Sequence, residues 1–374
     1  MAKKALVIIL DSVGCGEAPD AVAYGDAGAD TLGHLFAGIT ELALPNLDSM
    51  GLAHVMRRQP TVSTLDQSSA FRLTERSAGK DTTTGHWELM DYSLDEPFYT
   101  CKEFPKDFLD ELEQACGTGF IGNKAASGTE ILAELGEEHL RSGRPIIYTS
   151  ADSVLQIAAH EESFGLERLL DICKIARKLL DTRGLRVGRV IARPFVGEGA
   201  VNFHRTANRH DYSLTPGETV LDRIQARGVR VIGIGKISDI FAGKGICESH
   251  PTKDNADGMD VISRLWIESA HNDRFLFANL VDFDSLYGHR RDPQGYATCL
   301  MQFDAWLGGF LEKIAADDLL IITADHGNDP YHVGTDHTRE QVPCLVIPSA
   351  NFRVGESFDF AEVGRLVENH FTKT

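Results

Sequence analysis

The segment Thr323-Ala324-Asp325-His326-Gly327-Asn328-Asp329 sets a carboxylate beside an imidazole directly after the apolar run Leu319-Leu320-Ile321-Ile322, and His337 follows eleven residues after His326. Oxygen and imidazole donors at the end of a strand suit a hard or borderline divalent cation. Two other apolar runs end in the same donor types. Asp11 closes the first, in Leu10-Asp11-Ser12-Val13-Gly14, and Asp284 and His289 follow the second, in Asp282-Phe283-Asp284-Ser285-Leu286-Tyr287-Gly288-His289. Any one of these Asp residues could be a turn or helix cap, and any one His a hydrogen-bonded residue of no special role. Together they are three carboxylates and three imidazoles, enough to hold two cations about 3.5–4 Å apart, an arrangement that clamps a phosphoryl group.

A nucleophile is offered by Gly79-Lys80-Asp81-Thr82-Thr83-Thr84-Gly85-His86-Trp87-Glu88, where three threonines open a predicted helix. Threonine is a good N-cap. A hydroxyl there also feels the positive end of the helix dipole and could attack phosphorus to form a covalent phosphoenzyme. The two roles are compatible. Anion recognition is offered by Arg189, Arg193, Arg205, Arg209 and Lys236, whose guanidinium forks and ammonium suit phosphate, although each Arg could equally serve a surface salt bridge. Nucleotide-loop motifs fail: Gly233-Ile234-Gly235 has Ser238 where a dinucleotide fingerprint needs its third glycine, and neither Gly79-Lys80 nor Gly235-Lys236 completes a P-loop.

These residues must be positioned by the elements around them. The runs 5–10, 229–234, 275–281 and 318–323 are short and nearly all apolar, as in parallel strands buried on both faces. Helical periodicity marks 219–227 and 296–316. Ligands of open α/β sheets collect outside the carboxyl ends of the strands, so four such ends predict one shared site. The region from 97 to 214 reads differently, with helices at 106–115 and 165–180 and strands at 145–149 and 186–192. It is expected to be an α+β cap inserted between core segments 1–96 and 215–374. A chain of 374 residues exceeds a single core in any case.

Composition narrows the function classes. A net charge of −18 argues against a non-specific nucleic-acid or anionic-membrane surface. Seven scattered cysteines with no CxxC pair favour reduced thiols over a disulfide framework or a zinc ribbon. The apolar run at 5–10 is too short for a signal sequence, and no stretch nears the roughly 20 apolar residues of a membrane span. The expectation is a cytoplasmic protein acting on a small molecule, without nucleic acid or membrane as partner.

Longer motifs carry a resemblance. Asp11-Ser12-Val13-Gly14-Cys15-Gly16-Glu17-Ala18-Pro19-Asp20-Ala21, the segment 79–88 and the segment from Tyr148 to Glu162 resemble the phosphopentomutase family of the alkaline phosphatase superfamily. So do Arg189-Val190-Ile191-Ala192-Arg193-Pro194-Phe195-Val196-Gly197-Glu198, the stretches 208–212 and 235–240, and the run from Val281 to Tyr296. The resemblance covers nearly the whole chain. It implies an α/β, alkaline-phosphatase-like core sheet with an inserted α+β cap, and Thr82 as the phosphorylated nucleophile. One Mn2+ would be held by Asp284, His289 and His337, and a second by Asp11, Asp325 and His326. Asp152, Arg189, Ile191, Arg205 and Lys236 would hold a pentose phosphate. Ribose 1-phosphate or 2-deoxyribose 1-phosphate would be interconverted with the 5-phosphate through a sugar bisphosphate. Glucose 1,6-bisphosphate, or ribose 1,5-bisphosphate, would act as activator, in a monomer or small homo-oligomer.

Overall fold

In the computed structural model, which describes residues 2–150, 153–268, 272–348 and 354–372, the aliphatic runs fold as strands. Among the described residues these are, in chain order, β1 (Lys4–Leu10), β2 (Ser69–Thr74), β3 (Ile121–Ala125), β4 (Ile146–Thr149) and β5 (Val154–His160). They continue with β6 (Arg189–Val196), β7 (His204–Arg205), β8 (His210–Ser213), β9 (Arg230–Ile234) and β10 (Glu248–His250). The last are β11 (Arg274–Leu280), β12 (Leu319–Thr323), β13 (Val342–Ile347) and β14 (Val354–Asp359). The chain divides into two compact units, Met1–Glu96 with Pro216–Thr374, and Pro97–Thr215.

The first unit is built on an eight-stranded sheet of order β10-β9-β11-β1-β12-β13-β2-β14. β1 runs parallel to both β11 and β12, and β9 runs parallel to β10 and β11. Ala5 to Leu10 are all buried, as a strand covered on both faces requires. The register places the chemistry. Leu10 pairs with Leu280 and Ile9 with Thr323, so Asp11, Asp284 and Asp325 leave adjacent strands along one edge of the sheet. The helix Pro293–Leu311 links β11 to β12; it starts on Asp292, which accepts from Gly295 N, with a proline in the first turn. The four apolar runs thus pair parallel, as read from the sequence, whereas β13 is antiparallel to β12 and β2.

The second unit carries a mixed sheet of order β3-β4-β5-β6-β7, with β8 also paired to β6. The helices Lys106–Cys116 and Leu166–Thr182 bury Phe108, Leu112, Leu169 and Ile172 in one cluster with Leu155, Ile157 and Val190. The helix Gly128–Ser142 buries Ile131 and Leu132 in another, with Ile146, Tyr148, Ala158 and Phe195. That alternation along β5 and β6 is the two-residue period of a sheet sandwiched between helices. No described helix is long and apolar enough to cross a membrane.

Candidate metal centre

Six donors expected from the sequence meet at the carboxyl edge of the first unit's sheet. Asp11, Asp325 and His326 place ligand atoms within 4.8 Å of one another, and so do Asp284, His326 and His337. His289 Nε2 lies 3.1 Å from Asp284 Oδ2 and 3.1 Å from His337 Nε2. His326 therefore stands in both groups, its Nε2 being 3.3 Å from Asp325 Oδ2 and 3.5 Å from Asp11 Oδ1.

Local structure explains how a loop delivers two ligands five residues apart. On an ideal α-helix a spacing of five points about 140° away from its start. Here Phe283–Gly288 forms a single π-helical turn, closed by His289 N donating 3.0 Å to Asp284 O, and the wider turn brings both side chains to one side. Ser12, directly after Asp11, sits at φ 71°, an unusual conformation for a residue with a side chain. Its amide donates to Asp325 Oδ1 at 3.1 Å, its carbonyl accepts from Asn328 N at 3.2 Å, and its hydroxyl meets Tyr296 Oη at 3.0 Å. This strained turn ties β1 to the Asp325 segment.

The imidazoles share one orientation. The Nδ1 of His289 lies 2.7 Å from Thr335 O, that of His337 3.1 Å from Lys80 O, and that of His326 3.1 Å from Gly327 O. A backbone carbonyl on Nδ1 keeps a proton there, so Nε2 is the nitrogen that faces the carboxylates and that, once deprotonated, can ligate a cation. The carboxylates are likewise steered: Asn328 Nδ2 donates to Asp284 Oδ1 at 2.7 Å, and Asn279 Nδ2 to Asp11 Oδ2 at 2.9 Å. Among the described residues Asp11 Oδ1 is a buried oxygen with no hydrogen-bond partner, and Asp325 Oδ2, equally buried, faces only the imidazoles of His326 and His86. Orphaned buried carboxylate oxygens are rare unless something positive belongs there, so the donor set fits divalent cations.

The electrostatics point the same way. Burial, then the nearby Asp325 and Asp284 carboxylates, push the Asp11 carboxyl well above its usual range. Burial would also raise Asp284, but hydrogen bonds from His289 and His337 outweigh it and hold that carboxyl low. His289 in turn is raised to about 9, chiefly by its hydrogen bond to Asp284. So much buried negative charge in one place calls for a counter-cation.

Thr82 opens the helix Thr82–Leu89, its Oγ1 3.2 Å from His326 Nε2. Of the three threonines, none is the N-cap. Asp81 takes that role, accepting from Thr83 N at 2.9 Å and Thr84 N at 3.1 Å, while Thr84 Oγ1 completes the capping box. The loop before it is held by two buried ions. Glu88 accepts from the amides of Arg76 and Ser77 and from the Ser77 hydroxyl. Arg339, 2% exposed, donates to Glu75 Oε2 at 2.6 Å, Glu75 O at 2.7 Å, Ser77 O at 3.0 Å, Asp20 and Gly79 O. Breaking such a buried pair leaves Glu75 uncompensated, so Arg339→Met is expected to destabilise by about 3–5 kcal/mol. Urea unfolding measures this, and Glu75→Gln in the same chain should recover part of the loss.

Close packing fixes the helix that Thr82 opens as well. A side chain at Gly85 would overlap the carbonyl of Asp325. Gly85→Ala gains up to about 1 kcal/mol in helix propensity, yet it is expected to lower both the melting temperature and the metal affinity. Wild-type metal affinity in that variant would show the contact to be dispensable.

The remaining sequence candidates belong to other elements. Lys236 precedes the short helix Ile237–Ile240 at the end of β9. Arg189 and Ile191 are on β6 and Arg205 on β7, in the second unit. Asp152 lies outside the described residues. Four residues were given no role by sequence reasoning. Asn279 and Asn328 orient ligands, and Arg291 donates to Gly334 O, Gly288 O and Asp336 O, bracing the loop before His337. His86, fully buried, sets Nδ1 2.8 Å from Thr82 O and 3.1 Å from Asp325 Oδ2, linking the Thr82 backbone to the Asp325 carboxylate. Their signal was position inside the ligand motifs, as in Gly85-His86-Trp87 and Gly327-Asn328.

An α/β sheet whose carboxyl edge gathers buried carboxylates and carbonyl-fixed imidazoles defines a metal-dependent enzyme. The model of the Metalloenzyme superfamily matches residues 3–372, and the chain belongs to that superfamily. Among solved structures, the PH0037 protein from Pyrococcus horikoshii shares the fold, with a TM-score of 0.51 at 14% identity over 100% of this chain and 99% of that one. A phosphoglycerate mutase from Leishmania mexicana, studied at low cobalt, gives 0.46 at 10% identity over 99% and 95%. An alkaline phosphatase from the Antarctic bacterium TAB5 gives 0.37 at 11% over 100% and 98%. The fold is an α/β core built on the eight-stranded sheet.

Proposed function

We propose that the protein is a phosphopentomutase, interconverting ribose 1-phosphate or 2-deoxyribose 1-phosphate with the 5-phosphate. The observation that carries this is Thr82 Oγ1, at a helix N-terminus and 3.2 Å from the imidazole that stands in both ligand groups. A hydroxyl so placed supports a covalent phosphothreonine. The motifs around it and the arginines of the second unit support a pentose phosphate as substrate.

Asp11, Asp325 and His326 would hold one Mn2+, and Asp284, His289 and His337 the other. Bound there, the cations supply electrostatic stabilisation of phosphoryl oxygens and favour the ionised hydroxyl. Phospho-Thr82 would give its phosphoryl group to the free hydroxyl of the sugar phosphate. The bond to Oγ1 breaks as one to the sugar oxygen forms, leaving a sugar bisphosphate. The bisphosphate would then return its other phosphoryl group to Oγ1, so that isomerisation consumes no water. Glucose 1,6-bisphosphate, or ribose 1,5-bisphosphate, would load Thr82 at the start. The active species is a monomer or small homo-oligomer acting in the cytoplasm.

A coupled assay of ribose 5-phosphate formation from ribose 1-phosphate with Mn2+, with and without glucose 1,6-bisphosphate, tests the proposal. Isomerisation that rises with the bisphosphate is expected. Release of inorganic phosphate without isomerisation would make the protein a phosphatase instead.

A further inference from the structure

The helix Thr82–Leu89 packs directly on the ligand segment, since a side chain at Gly85 would overlap the Asp325 carbonyl. The next residue, His86, has no exposed surface, and its ring lies 6.0 Å from that of Phe277 on β11. A buried imidazole against an apolar strand is often no more than a hydrogen-bonded core residue. The partners of its two nitrogens decide whether that is so here.

Nδ1 lies 2.8 Å from Thr82 O and 3.1 Å from Asp325 Oδ2. A carbonyl and a carboxylate only accept, so Nδ1 carries a proton and both oxygens face the same N–H. Nε2 lies 3.3 Å from Asn279 Nδ2, which also donates to Asp11 Oδ2 at 2.9 Å. An amide NH2 has two hydrogens, one for each of these partners. Asn279 Oδ1 is thereby left buried and without a partner, which burial disfavours unless both donors are needed where they point. The flipped amide would set its oxygen against the Asp11 carboxylate. Asp11 and Asp325 belong to one ligand group, with His326. Among the described residues His86 forms no hydrogen bond or ion pair with Asp284, His289 or His337. The imidazole is therefore placed behind one cation site and not behind the other.

We infer that His86 is a positioning residue that ties the Thr82 end of its helix to the cation site of Asp11, Asp325 and His326 alone; that the hydroxyl so aligned is a nucleophile rests on the mutase reading above. Thr82 O and Asp325 Oδ2 share one N–H, so a cation that fixes the Asp325 carboxylate also fixes the ring and, through it, the first turn of the helix. On the other nitrogen, Asn279 carries the same restraint to Asp11. His86 acts through two carboxylates and a backbone carbonyl, as groups standing behind metal ligands generally do.

Two amides separate the nitrogens: Asn sets its NH2 near the place of Nδ1, and Gln near that of Nε2. Mn2+ titration of the metal-stripped protein, followed by calorimetry and electron paramagnetic resonance, should show two sites in wild type. In His86→Gln one site is expected to weaken by about 10–100-fold, the scale of losing a group behind a metal ligand. The other should stay within about twofold of wild type. His86→Asn, which restores the Nδ1 donor, should recover most of the loss. Hydrogen exchange reads the link to Thr82: Mn2+ should slow exchange in the Thr82–Leu89 helix of wild type, and much less in His86→Gln even when both sites are filled. Turnover of that filled variant should stay about 10-fold or more below wild type, with the Michaelis constant for ribose 5-phosphate unchanged. A core-packing role would lower the melting temperature of both variants and leave both metal affinities as in wild type, which overturns the inference. Equal weakening of the two sites overturns it as well, as does full recovery of protection at saturating Mn2+. Should His86→Gln fail to fold, Asn279→Leu is expected to weaken the same single site, and no loss or an equal loss at both sites is again fatal. A wild type that does not isomerise, with the one-site defect and the exchange difference intact, overturns the mutase reading and keeps the role of His86.

Discussion

Thr82→Ala is expected to lower turnover by at least about 10⁴-fold, because removing a nucleophile leaves only positioning and electrostatics to act. Both metals should remain bound, and the melting temperature should stay near that of the wild type. The structure separates these effects. The Thr82 hydroxyl meets His326 alone among the described residues, at 3.2 Å, while the helix it opens is capped by Asp81 and Thr84. Losing Oγ1 therefore removes no cap and no ligand. Thr82→Ser should retain activity, since the hydroxyl and its place at the helix N-terminus persist. After priming with a sugar bisphosphate, mass spectrometry should find phosphate on residue 82 in wild type and in Thr82→Ser, and none in Thr82→Ala. Metal loss in Thr82→Ala would make the residue structural. Persistent turnover would move the nucleophile to another hydroxyl, with Thr83 the first to examine.

The sheet that carries the site was legible because its strands are buried on both faces. The runs 5–10, 229–234, 275–281 and 318–323 have no polar alternation, and they appear as Lys4–Leu10, Arg230–Ile234, Arg274–Leu280 and Leu319–Thr323. Strands less plain in composition escaped. Val154–His160 holds Gln156 and His160 within its apolar run, and Ile121–Ala125 sets Gly122, Asn123 and Lys124 between two apolar ends, behind a glycine-rich turn. Ser69–Thr74 and Val342–Ile347 pair antiparallel, which no local pattern announces. The gathering of the six candidate donors was legible because each follows a strand end, and strand ends share an edge. The bonds that aim them were not. Asn328 on Asp284 and the Thr335 carbonyl on His289 bridge residues 44 and 46 apart in sequence, a distance that only the fold closes. The π-helical turn at Phe283–Gly288 has no signature beyond the five-residue spacing that it makes useful.

Asp325→Asn is expected to reverse its effect on stability according to whether metal is present. Asp325 Oδ1 accepts from Ser12 N, and Oδ2 is the orphaned oxygen facing His326 and His86. The amide can keep the first bond. It replaces the second oxygen with an N–H2 group, which cannot ligate a cation and meets the His86 nitrogen already engaged with Thr82 O. With metal, the variant should lose about one equivalent and on the order of 10³-fold in activity, as expected when buried electrostatic stabilisation is removed. Wild type should gain melting temperature with rising divalent cation, since a ligand bound only by the folded state stabilises it by mass action. The variant should gain less. Without metal the order inverts. Asp325 is the largest charge acting to raise the Asp11 carboxyl, so neutralising it relieves repulsion between two buried carboxylates. Metal-stripped Asp325→Asn should then melt above metal-stripped wild type. Calorimetry in chelator and in excess Mn2+ checks both limbs. A wild type whose melting is unmoved by the cation would remove the ground for a metal centre at this edge, whereas inversion without recovery of activity would locate the function of Asp325 in the metal rather than in the fold.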